Sequence, residues 1–311
     1  MKLNFFLSLI YAIKLHYCDK NGKKAKLSNR MYHLILEKGA GDHIIRTSTN
    51  GQRLYCTFAH QLPFYQKQLP YYDRQLSKLC HYLHNELRRT INIIDVGANI
   101  GDTVLNINLK DAFYLCVEGN KNYASLIELN LKNKYSYSLE ECYLTDKSVP
   151  TDYRFEVANG TNRLLPTNDS TAEGILLQTL NQLIDSKYKD INFDLIKVDT
   201  DGFDFKVIRG ARKYIEKCHP FLFFEWDKKY CKEQGEDPLS IFPLLEDLGY
   251  SECILFDNYG KLFDTVKTSD INKLEKHIEN TIGQGLPYYY DVLAINNTCG
   301  LSANQLHPIF A

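Results

Sequence analysis

Net charge of either sign is what this 311-residue chain has least of: 37 Lys and Arg stand against 38 Asp and Glu, a formal charge of −1. No global basic field is present to draw nucleic acid, which is therefore not an expected partner. Paired cysteines are also missing. The nine cysteines are scattered, with no two within five positions of each other. That excludes a C-x-x-C zinc knuckle and a compact disulfide framework. Cys116, Cys142 and Cys253 fall in apolar runs and read as small buried hydrophobes of a reducing compartment, so the expected location is cytoplasmic. There is no internal repeat and no low-complexity tract. The length suits one large domain with an extension, or two modest ones, and 44% hydrophobic residues can fill a sizeable core.

Long apolar runs are lacking as well. The run from Phe5 to Ile13 is too short to span a bilayer. No small-x-small site follows it, as a signal peptide would need, and His16 and Tyr17 stand where a lipoprotein box needs small residues before Cys18. The next 13 residues, CDKNGKKAKLSNR, carry five cationic side chains. One reading is a packed helix followed by a solvated loop. The other is a peripheral contact with the inner face of an anionic membrane.

The chain does contain alternation. Residues 1–75 look mixed, with a hairpin expected through Asn50-Gly51. Leu76, Leu79, Leu83 and Leu87 recur at helical spacing. From residue 91 short apolar strands alternate with helices: INIIDV, YLCVEGN, SLEECYLTD, FDLIKVD, FLFFEW, SECILFD and YDVLAIN. This predicts a doubly wound, mostly parallel α/β sheet of seven strands, with an antiparallel C-terminal edge and an N-terminal extension. The expected divisions are an extension over 1–75, a catalytic domain over 76–300 and a tail over 301–311.

On such a sheet ligands bind beyond the carboxyl ends of the strands. IIDVGANIGDT places Gly97, Asn99 and Gly101 there, where glycines permit a tight turn and bring backbone N–H groups toward a ligand. The next strand ends in Glu118, 21 residues after Gly97, a spacing at which a carboxylate can accept both hydroxyls of a ribose. The pattern says nucleoside cofactor, either NAD or S-adenosylmethionine. Two features favour the second. G-x-N-x-G followed by Asp102 is not the G-x-G-x-x-G of a dinucleotide site, and an acid at that helix start repels a pyrophosphate. Asp199, Asp201, Asp204, Glu225 and Asp227 also gather at the ends of two later strands, where they suit proton abstraction from a hydroxyl or metal binding. Whether a divalent metal takes part is left open.

IDVGANIGDT, VEGN, DLIKVDTDGFDFKVIRGA, PFLFFEWD and LGYSECILFDNYGKLF, in this order over roughly residues 75–296, resemble the FkbM family of S-adenosylmethionine-dependent methyltransferases. The resemblance implies a class I methyltransferase fold and O-methylation of a sugar, polysaccharide or related metabolite. By position it implies that Asp95, Gly97, Asn99, Gly101 and Asp102 line the methionine end, Glu118 the ribose and Asp146 the adenine. Asp199 and Asp201 would face the methyl group, with Glu225 nearby. The chain departs from the pattern at Gly119, where a proline is usual, at Asp201 and Asp204, where glutamates are usual, and at Asn181, in place of an aspartate.

Several of these residues also have plainer readings. Asp95 could cap the turn after it, and Asp204 and Glu225 could pair with Lys197 or Arg209. His81 and His84 could share a metal or simply pack. Trp226 could stack on a sugar or sit in the core. No N/D-P-P-Y motif of base amino-methylation is present. The competing functions are an NAD-dependent oxidoreductase and a non-catalytic cofactor-binding subunit. Acceptor specificity is expected from residues 1–75 and from 157–174, a stretch of loop composition.

Overall fold

The computed structural model describes residues 3–147, 153–158, 161–166, 177–281 and 288–310. The chain opens with α1 (Phe5–Tyr17) and α2 (Lys23–Ile35). The stretch expected as a solvated loop is thus helical from Lys23. Ser28 and Tyr32, four apart, are buried on one face of α2, and the Tyr32 hydroxyl donates to Phe58 O at 2.9 Å. Packing of that face outweighs the local charge. β1 (Ile44–Thr49) and β2 (Gln52–Thr57) form the expected hairpin, turned by Asn50 and Gly51 at φ 46° and 77°. α3 (Leu62–Gln68) and α4 (Arg74–Leu87) follow, and α4 buries Leu76, Leu79 and Leu83.

The main sheet then begins with β3 (Ile91–Val96), α5 (Asp102–Ile107), β4 (Ala112–Val117), α6 (Lys121–Leu131) and β5 (Ser136–Glu140). The run SLEECYLTD divides: its end forms β6 (Tyr143–Leu144), paired outside the main sheet with β9 (Leu177–Gln178). Between them β7 (Tyr153–Ala158) and β8 (Thr161–Pro166) pair as a hairpin. Much of the expected 157–174 loop is therefore strand, and 159–160 and 167–174 lie outside the described residues. α7 (Leu180–Leu183) leads to β10 (Leu195–Val198), α8 (Asp204–Gly210), α9 (Arg212–Cys218) and β11 (Phe221–Trp226). α10 (Lys228–Glu233), α11 (Ile241–Asp247), β12 (Tyr250–Asp257), β13 (Leu262–Lys267), α12 (Ile271–Glu279), β14 (Tyr290–Asn296) and α13 (Ala303–Phe310) complete it.

The sheet has eight strands, ordered β13-β12-β14-β11-β10-β3-β4-β5. The five from β11 to β5 are mutually parallel, and β12, β13 and β14 add antiparallel pairs. The eighth strand is β13, which continues past the turn at Asn258-Tyr259-Gly260. β14 then inserts between β11 and β12, so the expected antiparallel C-terminal edge is built from β14, β12 and β13. The inner strands read as continuous apolar runs because both faces are covered. One core cluster joins Ile93, Tyr114 and Leu131 to the N-terminal elements, and a second joins Ile94, Val198 and Phe224 to the helices of the other face. Successive strands run outward from β3 to β5 and then resume at β10, so the topological switch lies between β3 and β10. The C-terminal helix α13 buries Leu306 and Phe310.

Candidate active site

Gly97, at the end of β3, has φ +74°, and a Cβ there would lie 1.9 Å from Asp199 O at the end of β10. What closely approaches this glycine is therefore the chain's own backbone. The N–H groups of Gly97 and Ala98 both donate to Val117 O, at 3.0 and 3.1 Å, and that of Gly101 to Ala98 O at 2.8 Å. Asn99, at φ 48°, donates its N–H to Glu118 Oε2 at 2.9 Å. These four amides are thus engaged within the loop and its neighbouring strand.

Glu118 ends β4 and is 8% exposed. Its other oxygen accepts from Asn120 N at 2.7 Å. Burial pushes its carboxyl up to about 7, against the pull of the Asn120 and Asn99 amides. Beside it lies a cavity of about 80 Å³ walled by Val117, Tyr143, Leu144 and Phe203. A Cβ at position 119 would lie 2.3 Å from the Tyr143 ring, so glycine there leaves the ring its place.

A larger cavity, of about 270 Å³, opens on the other side of the same loop. The two share Gly97, Asn99, Asp199 and Asp201. Lys197 lies at its floor, with Nζ 3.0 Å from Asp95 Oδ1, 3.5 Å from Asp199 Oδ2 and donating to Gly97 O at 3.2 Å. Burial opposes its charge, but the carboxylates of Asp95, Asp199 and Asp102 outweigh burial and raise its pKa. Asp95 is fully buried against Lys197, so it anchors that cation rather than capping the turn. Asp199 is half exposed. The backbone does not stay extended after it, since Asp201 adopts φ +50°, yet both residues line both cavities. Asp204 holds this turn: one oxygen accepts from Thr200 Oγ1 at 3.0 Å and Gly202 N at 3.3 Å, the other from Glu225 N at 3.4 Å. Burial, then Asp199, Asp201, Asp204 and Asp227, push the Glu225 carboxyl well above the usual range.

Asp102 lines the large cavity, but Asp95, Gly101 and Asp146 line neither cavity. Gly101, at φ +81°, lies under Leu131. Asp146 faces Arg209, whose Nε is 3.0 Å from its Oδ2, and that guanidinium also binds Glu236. Trp226 is fully buried, donates Nε1 to Pro238 O at 2.9 Å and packs on Phe242, so it is core. His81 and His84 each bond a different carbonyl, Ile107 O and Arg89 O, and do not share a ligand site.

The large cavity also contains residues that the sequence reading missed. Tyr72 and Asp73 come from the extension, and Tyr289 and Asp291 from the start of β14. Burial, with Asp102 and Asp199 adding to it, raises Asp73 to about 8. Burial also pushes Asp291 well up. Glu225 and Asp291 are register partners across β11 and β14. His60, buried against Asn99 Oδ1 at 3.3 Å, is pushed down to about 4 by burial and stays neutral at physiological pH.

The strand order and the cleft at the switch point define a class I methyltransferase fold. Residues 95–252, just over half of the chain, match the model of the methyltransferase FkbM domain. The chain belongs to that family. No curated protein sequence matches it. Among solved structures it is similar to the methyltransferase FkbM from Methylobacillus flagellatus KT, at 12% identity and TM-score 0.35, over 72% of this chain and 53% of that one. It thus spans about half the length of that protein. It is also similar to the plantazolicin methyltransferase BamL in complex with a triazolic desmethylPZN analog and SAH, at 12% identity and TM-score 0.41 over 94% and 98% of the two chains. A third is magnesium protoporphyrin IX methyltransferase from Synechocystis PCC 6803 with bound SAH, at 8% and 0.36 over 72% and 82%. At these scores the likeness is loose, and membership rests on the family match.

Proposed function

We propose that the protein is an S-adenosylmethionine-dependent O-methyltransferase whose acceptor is a hydroxyl of a sugar or related polyhydroxylated metabolite. The observation that carries this reading is the pair of cavities meeting at Gly97, Asn99, Asp199 and Asp201. The small one is too narrow to enclose an adenosine but is open to solvent, and its walls suit the contacts one would make: Glu118 accepts from ribose hydroxyls, and Tyr143, Leu144 and Phe203 flank the base. Asn99 and Asp102 face the amino-acid end, with the Lys197–Asp95 pair beneath. The amides already bonded within the loop suit a cofactor without phosphates, which supports this reading over NAD.

When bound, S-adenosylmethionine supplies a sulfonium methyl group open to attack by oxygen. The chain's part is to orient the acceptor hydroxyl in line and to take its proton. Asp199, half exposed at the shared wall, is the first choice as base, and Asp201 the second. Glu225, whose carboxyl burial and the neighbouring acids push well above the usual range, lines the same cavity beside them and is placed to hydrogen-bond the acceptor. Tyr72, Asp73 and Asp291 line the acceptor side, where a hydroxyl-rich ligand offers several donors and acceptors. Calorimetry with S-adenosylhomocysteine and with NAD tests the cofactor: saturable binding of the first alone is expected, and binding of NAD alone would overturn the proposal.

A further inference from the structure

α1 is apolar on both sides. Its inner face buries Leu7, Ile10 and Tyr11. Its outer face carries Phe5, Phe6 and Leu9, which are 70%, 65% and 59% exposed. Ala12 and Ile13 extend the same arc at helical spacing, with Ala12 exposed and Ile13 half-buried. A helix that is apolar all round normally has apolar surroundings on every side. Capping of α1 by Asn4 and the packing of Tyr11 make this an ordered surface: the Tyr11 ring stacks on Phe64 at 4.7 Å and its hydroxyl donates to His60 O at 2.5 Å.

α2 packs beside it, with Lys14 reaching Asn29. The outward stripe of α2 mixes Leu27 and Leu34, 67% and 47% exposed, with Lys23, Lys26 and Arg30. The first 41 residues hold eight Lys and Arg against two acids, in a chain whose total is −1. One of those acids, Asp19, is paired with Lys67 at 3.1 Å. A local excess of positive charge therefore lies on the same N-terminal segment that exposes large apolar side chains. Among the described residues no helix is long and apolar enough to cross a membrane.

We propose that α1 and α2 form a docking surface for an anionic lipid bilayer. Phe5, Phe6 and Leu9 enter the headgroup–acyl boundary, and the cations of α2 lie over the lipid phosphates and carboxylates. The charge excess selects a lipid surface over a second copy of the chain, which would bring the same positive face against itself. Because Tyr11 is bonded to His60, and His60 lines the large cavity, docking would fix that cavity relative to the bilayer. The proposal does not depend on the chemistry performed in the cavity.

The test is co-sedimentation of the full chain with vesicles of phosphatidylcholine alone and of phosphatidylcholine with phosphatidylserine, at physiological and at high salt. Binding to the anionic vesicles, weakened by salt, is expected. Each cation near such a surface is worth about 1 kcal/mol, roughly fivefold. Reversing Lys23, Lys24 and Lys26 to Glu should therefore weaken binding at least a hundredfold. Phe5→Ser with Phe6→Ser and Leu9→Ser should weaken it at least tenfold. Unchanged binding of S-adenosylhomocysteine, or an unchanged circular dichroism spectrum, certifies that each variant is folded. Equal binding to both vesicle types, no binding, or wild-type binding by the folded variants would overturn the proposal. So would self-association through Phe5 and Phe6, or retention by RNA, without vesicle binding.

Discussion

Glu118 provides the sharpest test of where the cofactor sits. Its carboxyl is pushed up to about 7 by burial, so in the empty protein it is largely protonated at pH 6 and largely ionised at pH 8. Ribose hydroxyls are donors and favour the ionised form. Binding must therefore drive off a proton at pH 6, where only about a tenth of the molecules are ready, and almost none at pH 8. The apparent affinity for S-adenosylhomocysteine should rise about tenfold between pH 6 and pH 8. Asp102 is also raised to about 7, mainly by burial, and titrates in the same window. Glu118→Gln separates the two. It removes the titration and replaces one accepting oxygen by a donor, facing an amide that needs an acceptor. Binding should weaken by about 1.5–3 kcal/mol and lose the share of the pH slope and proton release that Glu118 carries, leaving only the share that belongs to Asp102. Calorimetry in two buffers of different ionisation enthalpy reads both affinity and proton release. A flat wild-type profile, or a Gln variant whose slope and proton release are undiminished, would refute the placement of Glu118 at the ribose.

Asp199→Asn and Asp201→Asn should each lower turnover by roughly 10²–10⁴ while changing cofactor affinity less than about threefold; Glu225→Gln, which keeps the shape and hydrogen-bonding capacity of the side chain, should lower it less than about tenfold. Turnover lost only in the Glu225 variant would reverse the assignment. Gly97→Ala should destabilise by about 3 kcal/mol or more in urea melts, since it combines a left-handed residue with a clash against Asp199 O. A near-neutral result would mean the two strand ends are farther apart. Asp204→Asn should cost about 1–3 kcal/mol, the range for a buried group whose partners lose a charged acceptor, and a fully stable variant would contradict its role in the turn.

The parts of the site legible in the sequence were those written in single strands and their following turns. INIIDV and DLIKVD announced buried parallel strands, and Gly97, Glu118, Asp199 and Asp201 fell at their ends and line the cavities. What the sequence hid arises from contacts between distant segments. Asp291 reaches the site because β14 inserts beside β11, 66 positions of chain after Glu225 in register with it, and no local pattern reports such an insertion. Tyr72 and Asp73 arrive because the extension folds back over the cleft. Asn130, for one, bonds both Tyr55 and Ile100 and ties the hairpin to the glycine turn. Asp146 was placed by order along the chain, but the bidentate pair between Arg209 and Glu236 draws the guanidinium alongside it. The cationic stretch at 18–30 read as loop because its charge is local, whereas the burial of Ser28 and Tyr32 that makes it helical is tertiary.

The central claim is transfer of a methyl group to an alcohol oxygen. The purified chain should be incubated with S-adenosylmethionine carrying a labelled methyl group and with a polyhydroxylated glycan extract, alongside its Asp199→Asn variant. The label should enter the glycan as an ether that survives mild base and acid, at a rate lowered roughly 10²–10⁴-fold in the variant. Label recovered on nitrogen or as a base-labile ester, or equal transfer by the variant and the wild type, would contradict it.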